Sequence, residues 1–164
     1  MNSNASPEDS RWNGGVPTAI DPRIVALVVA LAGLAASLNV PYGGIEFAAV
    51  AFLALSIIGI AAHYVGQRRL QRITSGLATH WAEHGAEIEA IRHKSGWGRT
   101  SWVVQTSAGP ITVTGLALAP LSKVSIEWQG TGDVLQAAEA EDRIETLAAE
   151  WYQEVVEIPA ATKP

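Results

Sequence analysis

The chain has 164 residues, no cysteine, 48% hydrophobic residues and a formal charge of −5. Without cysteine there is no disulfide framework and no thiolate metal site, and the acidic balance argues against a nucleic-acid binder, which needs a basic face. The charge is uneven: residues 1–72 carry five basic and four acidic side chains (+1), and residues 73–164 carry six basic and twelve acidic (−6).

Residues 1–20 are rich in Ser, Asn, Pro and Gly and read as a disordered polar tail with one aromatic residue, Trp12. Asp21-Pro22 then supplies an N-cap and a first-turn proline for a helix. Two apolar runs follow, 24–40 and 45–65, with only Pro41-Tyr42-Gly43-Gly44 between them. Crossing the hydrocarbon core of a bilayer takes roughly 20 apolar residues, or about 17 at the short end. A surface helix of a soluble protein repeats a polar face every 3.6 residues. Residues 24–37 have no such face, and 45–65 offer only Glu46, Ser56 and His63. Burying two such helices inside a soluble core would need more surrounding protein than this chain supplies. Residues 21–66 are therefore expected to form a transmembrane helical hairpin with its turn at 41–44. A cleaved signal peptide does not fit, because some twenty polar residues precede the first run and no basic cluster opens it.

Arginine placement sets the expected orientation. Arg68, Arg69 and Arg72 follow the second run, Arg11 and Arg23 precede the first, and the turn carries no Lys or Arg. The positive-inside bias places both termini in the cytoplasm, and the three later arginines are the expected contacts for lipid headgroups. Small residues recur along the first span at Ala26, Ala30, Gly33 and Ser37, and along the second at Ala48, Ala51, Gly59, Ala62 and Gly66. Spacings of three and four residues allow backbones to approach within lipid, so these positions are expected to pack the hairpin and, in a sharper reading, to join copies into an oligomer. No Lys, Arg or Asp lies inside either span, which argues against a pump or transporter. A small oligomeric channel or holin-like pore is the alternative, since pores can be lined by small or apolar residues.

Residues 67–85 read as a juxtamembrane helix with an apolar stripe of Leu70, Ile73, Leu77, Trp81 and His84, stopped at Gly85. The period then changes. Segments 87–93, 100–106, 111–116 and 123–128 are short, rich in Ile, Val, Thr and Trp, and bounded by turn residues. They predict about four antiparallel strands. Asp133 with Gln136 three residues on resembles a capping box, opening a C-terminal helix whose buried face holds Ile144, Leu147, Ala148, Trp151 and Val155. The expected fold is thus a membrane protein: a two-helix transmembrane hairpin followed by a small α+β domain at 86–158 and a loose tail at 159–164.

His80-Trp81-Ala82-Glu83-His84 spells H-x-x-E-H, the arrangement of inverted zinc metallopeptidases. On a helix His80 and His84 share a face and Glu83 could activate a metal-bound water. The resemblance covers five residues. A further acidic ligand, nominally Glu154 or Glu157, would be required, and such enzymes use far larger domains. Gly96-x-Gly98 and Gly130-x-Gly132 lack the third glycine or following lysine of a phosphate loop, and no serine sits in a nucleophile elbow. No cofactor is expected. Trp97 lies between two glycines with no evident core to enter, which makes it the candidate partner contact. Together these readings favour a non-enzymatic membrane-anchored interaction or assembly module, such as an envelope scaffold or a membrane protein of a virus particle, with lipid and either its own copies or another protein as partners.

Overall fold

The computed structural model describes residue 16 and residues 20–96, 99–119 and 121–153. A helix, α1 (Pro22–Ser37), precedes a 44-residue helix, α2 (Val40–Glu83). A five-stranded antiparallel meander follows, in the order β1 (Ile88–Gly96), β2 (Arg99–Thr106), β3 (Gly109–Leu116), β4 (Lys123–Trp128) and β5 (Thr131–Gln136). Two short helices, α3 (Ala137–Asp142) and α4 (Ile144–Tyr152), close the described chain.

The start of α1 is as the sequence predicts. The Asp21 carboxylate accepts a hydrogen bond from the Arg23 amide at 2.9 Å, and Pro22 occupies the first turn, where its missing N–H costs nothing. Its end is earlier than expected. The helix stops at Ser37, Leu38 and Asn39 keep right-handed helical angles, Pro41 belongs to the first turn of α2, and the reversal comes within the expected turn at 41–44. The break falls at Gly44 (φ 75°), a conformation that glycine adopts without a Cβ penalty. Returning from that reversal, α2 lies antiparallel to α1, with Gly33 facing Phe52 and Gly59 facing Val28.

Past its midpoint α2 becomes the spine of a second layer. Leu70, Ile73, Leu77 and Trp81 are all buried against one face of the sheet, where they meet Trp102, Val104, Ile111, Val113, Val124 and Ile126. Leu147, Ala148 and Trp151 of α4 complete this core, and the Trp81 indole donates to the Ala148 carbonyl at 2.8 Å. The helix ends as its glycine predicts: with Gly85 at φ 95°, the Gly85 and Ala86 amides bond back to the carbonyls of Ala82 and Trp81.

Two expectations are corrected. His84 is exposed and caps the helix instead of continuing the buried stripe, because the chain leaves helical geometry there. The sheet has five strands, not four, and Asp133 caps no helix. Gln129 (φ 49°) and Gly130 (φ 84°) form a two-residue turn with both φ positive, the geometry that returns a strand as a tight hairpin. Residues 131–136 therefore pair with β4, Leu135 opposite Val124 and Asp133 opposite Ile126. Ladder bonding to an existing edge outweighs a local capping motif. Helix α3 starts only at Ala137, and a break at Arg143 divides the expected C-terminal helix in two.

Candidate functional site

The surface of α2 changes character abruptly along its length. Its most apolar 18-residue window has a mean hydropathy of 2.3 and is only 11% buried. Ile45, Val50, Leu53, Ile57, Ile58 and Val65 all face outward, as do Leu27, Leu31 and Leu34 of α1. A core helix of a soluble protein would hide such residues. Among the described residues α2 is the one helix long and apolar enough to cross a membrane; α1, with 16 residues, is apolar but shorter.

From His63 onward the same helix is gripped by the sheet. His63 is 1% exposed, and its Nδ1 lies 2.9 Å from the Ala117 carbonyl. A carbonyl only accepts, so Nδ1 carries the hydrogen. One residue back, the Ala119 amide donates to the Ala62 carbonyl at 3.2 Å. Gly66 lies against the backbone of Ala117 and Leu118 so closely that a Cβ there would sit 2.7 Å from a carbonyl carbon. Gln67 donates to the Thr100 hydroxyl at 2.6 Å, and both residues are buried. Gln71 donates to the Val16 carbonyl at 2.9 Å, so Val16 lies at the same end of the helix pair as the sheet. The β3–β4 connection thus clasps α2 where its exposed apolar surface ends.

The three arginines beyond this point separate. Arg69 Nε and an Arg72 guanidinium nitrogen each lie 2.8 Å from a different oxygen of the Glu141 carboxylate on α3. Arg68 stays exposed, its guanidinium 5.0 Å from the centre of the Tyr64 ring. Glu141 was not singled out by sequence reasoning. The signal was a basic cluster on one helix and an acidic run at 139–150, but no local spacing sets their register.

The small-residue stripes are only partly interfacial. Gly33 and Gly59 sit between the helices, and the small residues of α1 that are buried are Ala32 and Ala36. Ala26, Ala30 and Ser37 face outward, Ala62 is half-buried, and Gly66 meets the β3–β4 connection instead of α1. The H-x-x-E-H residues cluster at the far end of α2. The His80 and His84 rings stack at 4.2 Å between centroids, and His84 Nδ1 donates to the His80 carbonyl at 2.8 Å, which occupies that nitrogen. Among the described residues no group of three or more His, Asp or Glu side chains is placed to hold a metal ion. Glu154, Glu157, Trp12 and Trp97 lie outside the described residues. His93, half-buried with its ring 5.8 Å from that of Trp102, has its pKa pushed below the ordinary 6.5 by burial, with the Asp21 carboxylate opposing.

In comparisons with known proteins, no family model, no curated protein and no solved structure matches the chain.

Proposed function

We propose that this chain is a non-enzymatic integral membrane protein whose α1 and apolar half of α2 cross the bilayer as a two-span hairpin, holding the sheet at the cytoplasmic surface as an interaction or assembly module. One observation carries the reading: outward-facing apolar residues run along α2 up to the point where the sheet begins to hold it. At 1.5 Å per residue, 45–65 covers about 31 Å, matching the roughly 30 Å of hydrocarbon. Helix α1 covers about 24 Å, and the apolar reversal after it, with Leu38, Val40 and an exposed Tyr42, supplies the remainder. Orientation follows from Arg23, Arg68, Arg69 and Arg72 at the open end of the pair against no Lys or Arg at 38–44. Arg68 is the arginine left to meet headgroups, since Glu141 holds the other two. An acidic outer surface on α3 and α4 suits a basic protein partner or a neighbouring copy, as in an envelope scaffold or the membrane layer of a virus particle.

The absence of native cysteine gives a clean test. Tyr42→Cys and Ser107→Cys are expressed singly in a bacterial host and labelled with a membrane-impermeant maleimide. The first is expected to react in intact cells once the outer barrier is opened, and the second only after lysis. Labelling of both from the same side, or extraction of the protein by carbonate without detergent, would overturn the proposal.

A further inference from the structure

The clasp has an outer surface that holding α2 does not explain. Leu116 and Leu121 flank the β3–β4 connection and are 39% and 63% exposed. Ala119 of that connection bonds to Ala62, on the bilayer side of His63, so its tip reaches back to the level where the helix leaves lipid. Two basic residues bracket it. Lys123 pairs directly with Leu116, and Arg99 lies one residue beyond the Thr100–Gly115 pair, which sets it beside Leu116 on the other flank. All three point away from the core, over a groove of about 420 Å³ whose walls include the hydroxyl residues Thr114 and Ser125. Neither Arg99 nor Lys123 has an ion pair among the described residues. In contrast, Glu139 and Glu141 of α3 are matched by Arg143 and by Arg69 and Arg72.

We propose that this groove is a binding site for an anionic phospholipid headgroup of the leaflet that α2 exits, with Leu116 and Leu121 in the interfacial layer. The inference rests on the membrane reading above and adds a second attachment that fixes the tilt of the sheet on the bilayer. Leucines bracketed by cations at the depth of the headgroups combine apolar burial with attraction to negative lipid. Each basic residue near such a surface contributes about 1 kcal/mol, or about five-fold in the docking equilibrium, so losing both costs about thirty-fold.

The full-length protein is reconstituted into vesicles of phosphatidylcholine alone or with phosphatidylglycerol. An environment-sensitive fluorophore is placed at Leu121→Cys or, as a control, at Leu53→Cys, and bromine is carried by the lipids at shallow or deep positions. Label at 53 is expected to be quenched by deep bromine in both vesicle types. Label at 121 is expected to be quenched by shallow bromine several-fold more strongly when phosphatidylglycerol is present, and the Arg99→Glu/Lys123→Glu pair is expected to abolish that difference. Both substitutions are on the exposed face, and an unchanged melting curve in detergent confirms that the sheet is intact. Quenching at 53 with none at 121, or quenching at 121 indifferent to lipid charge, overturns the headgroup site alone. No quenching at 53 overturns the membrane reading itself.

Discussion

Helix α2 is one uninterrupted helix from Ile45 to Glu83 in two different environments. Through Val65 its large apolar side chains face outward on nearly all sides; beyond it they form a single buried stripe, Leu70, Ile73, Leu77 and Trp81. Helix propensity does not distinguish the halves. What differs is the solvent each surface fits, since a uniformly apolar helix suits lipid and an amphipathic one suits a core facing water. The transition takes less than two turns, where the β3–β4 connection engages His63 and Gly66 and β2 engages Gln67. Continuity of the helix lets the module be held at a set angle to whatever encloses the apolar half.

The sharpest way to break this contrast is to truncate one large side chain in each half. Trp81→Ala empties the centre of the core and removes the indole hydrogen bond to Ala148, for an expected loss of about 3–5 kcal/mol. Leu53→Ala, from an exposed position, is expected to change stability by less than about 0.5 kcal/mol. Thermal unfolding in detergent micelles, followed by circular dichroism, measures both. Similar losses would erase the distinction between the halves.

A second pair separates the two kinds of close approach. A side chain at Gly66 meets backbone that cannot swing aside, so Gly66→Val is expected to cost about 1–3 kcal/mol and to release the β3–β4 connection. Gly59→Val meets only the Val28 side chain. It is expected to space α1 from α2 while leaving the melting of the sheet unchanged. Proteolysis at 117–121 with sheet melting read in parallel reports both effects.

The third prediction concerns pH and touches only the water-facing half. Burial lowers the pKa of His93, so the folded chain binds that proton less readily than the unfolded chain. Stability from this group is therefore full above the ordinary value of 6.5 and falls as pH drops through it toward the lowered folded value. The melting temperature of the sheet is expected to decline below that point, and His93→Phe is expected to flatten the decline. A pH profile that is the same in both proteins contradicts this role. The smallest effect is expected at the ion pairs: Glu141→Gln leaves Arg69 and Arg72 unmatched on a partly exposed surface and is expected to cost about 0.5–1 kcal/mol, less at high salt.

What could be read beforehand was what rests on local pattern. The apolar surface of 24–65, the Asp21-Pro22 start, the stripe of α2, the Gly85 stop and the first four strands each follow from the spacing of a few neighbouring residues. What escaped depends on distant pairing. Residues 131–136 carry both a turn signal at Gly130 and a capping pattern at Asp133, and only the presence of the β4 edge decides between them. The early end of α1 at Ser37 escaped because Leu38 and Val40 continue the apolar run, whereas the backbone break itself falls at Gly44, inside the turn expected at 41–44. The grip of Ala117 and Ala119 on α2, and of Glu141 on two arginines, joins residues more than fifty apart in the chain, where no periodicity applies.

The central claim is that one helix passes from lipid to a water-facing core around His63, and a nitroxide scan tests it most directly. Single spin labels are placed at successive positions from 45 to 83 in the vesicle-reconstituted protein, and their collision rates with oxygen and with a water-soluble nickel complex are compared. The account predicts that oxygen dominates through residue 65, and that nickel access then rises with a 3.6-residue period between residues 66 and 83. Nickel access as high at 45–65 as on the outer face of 66–83 would contradict it.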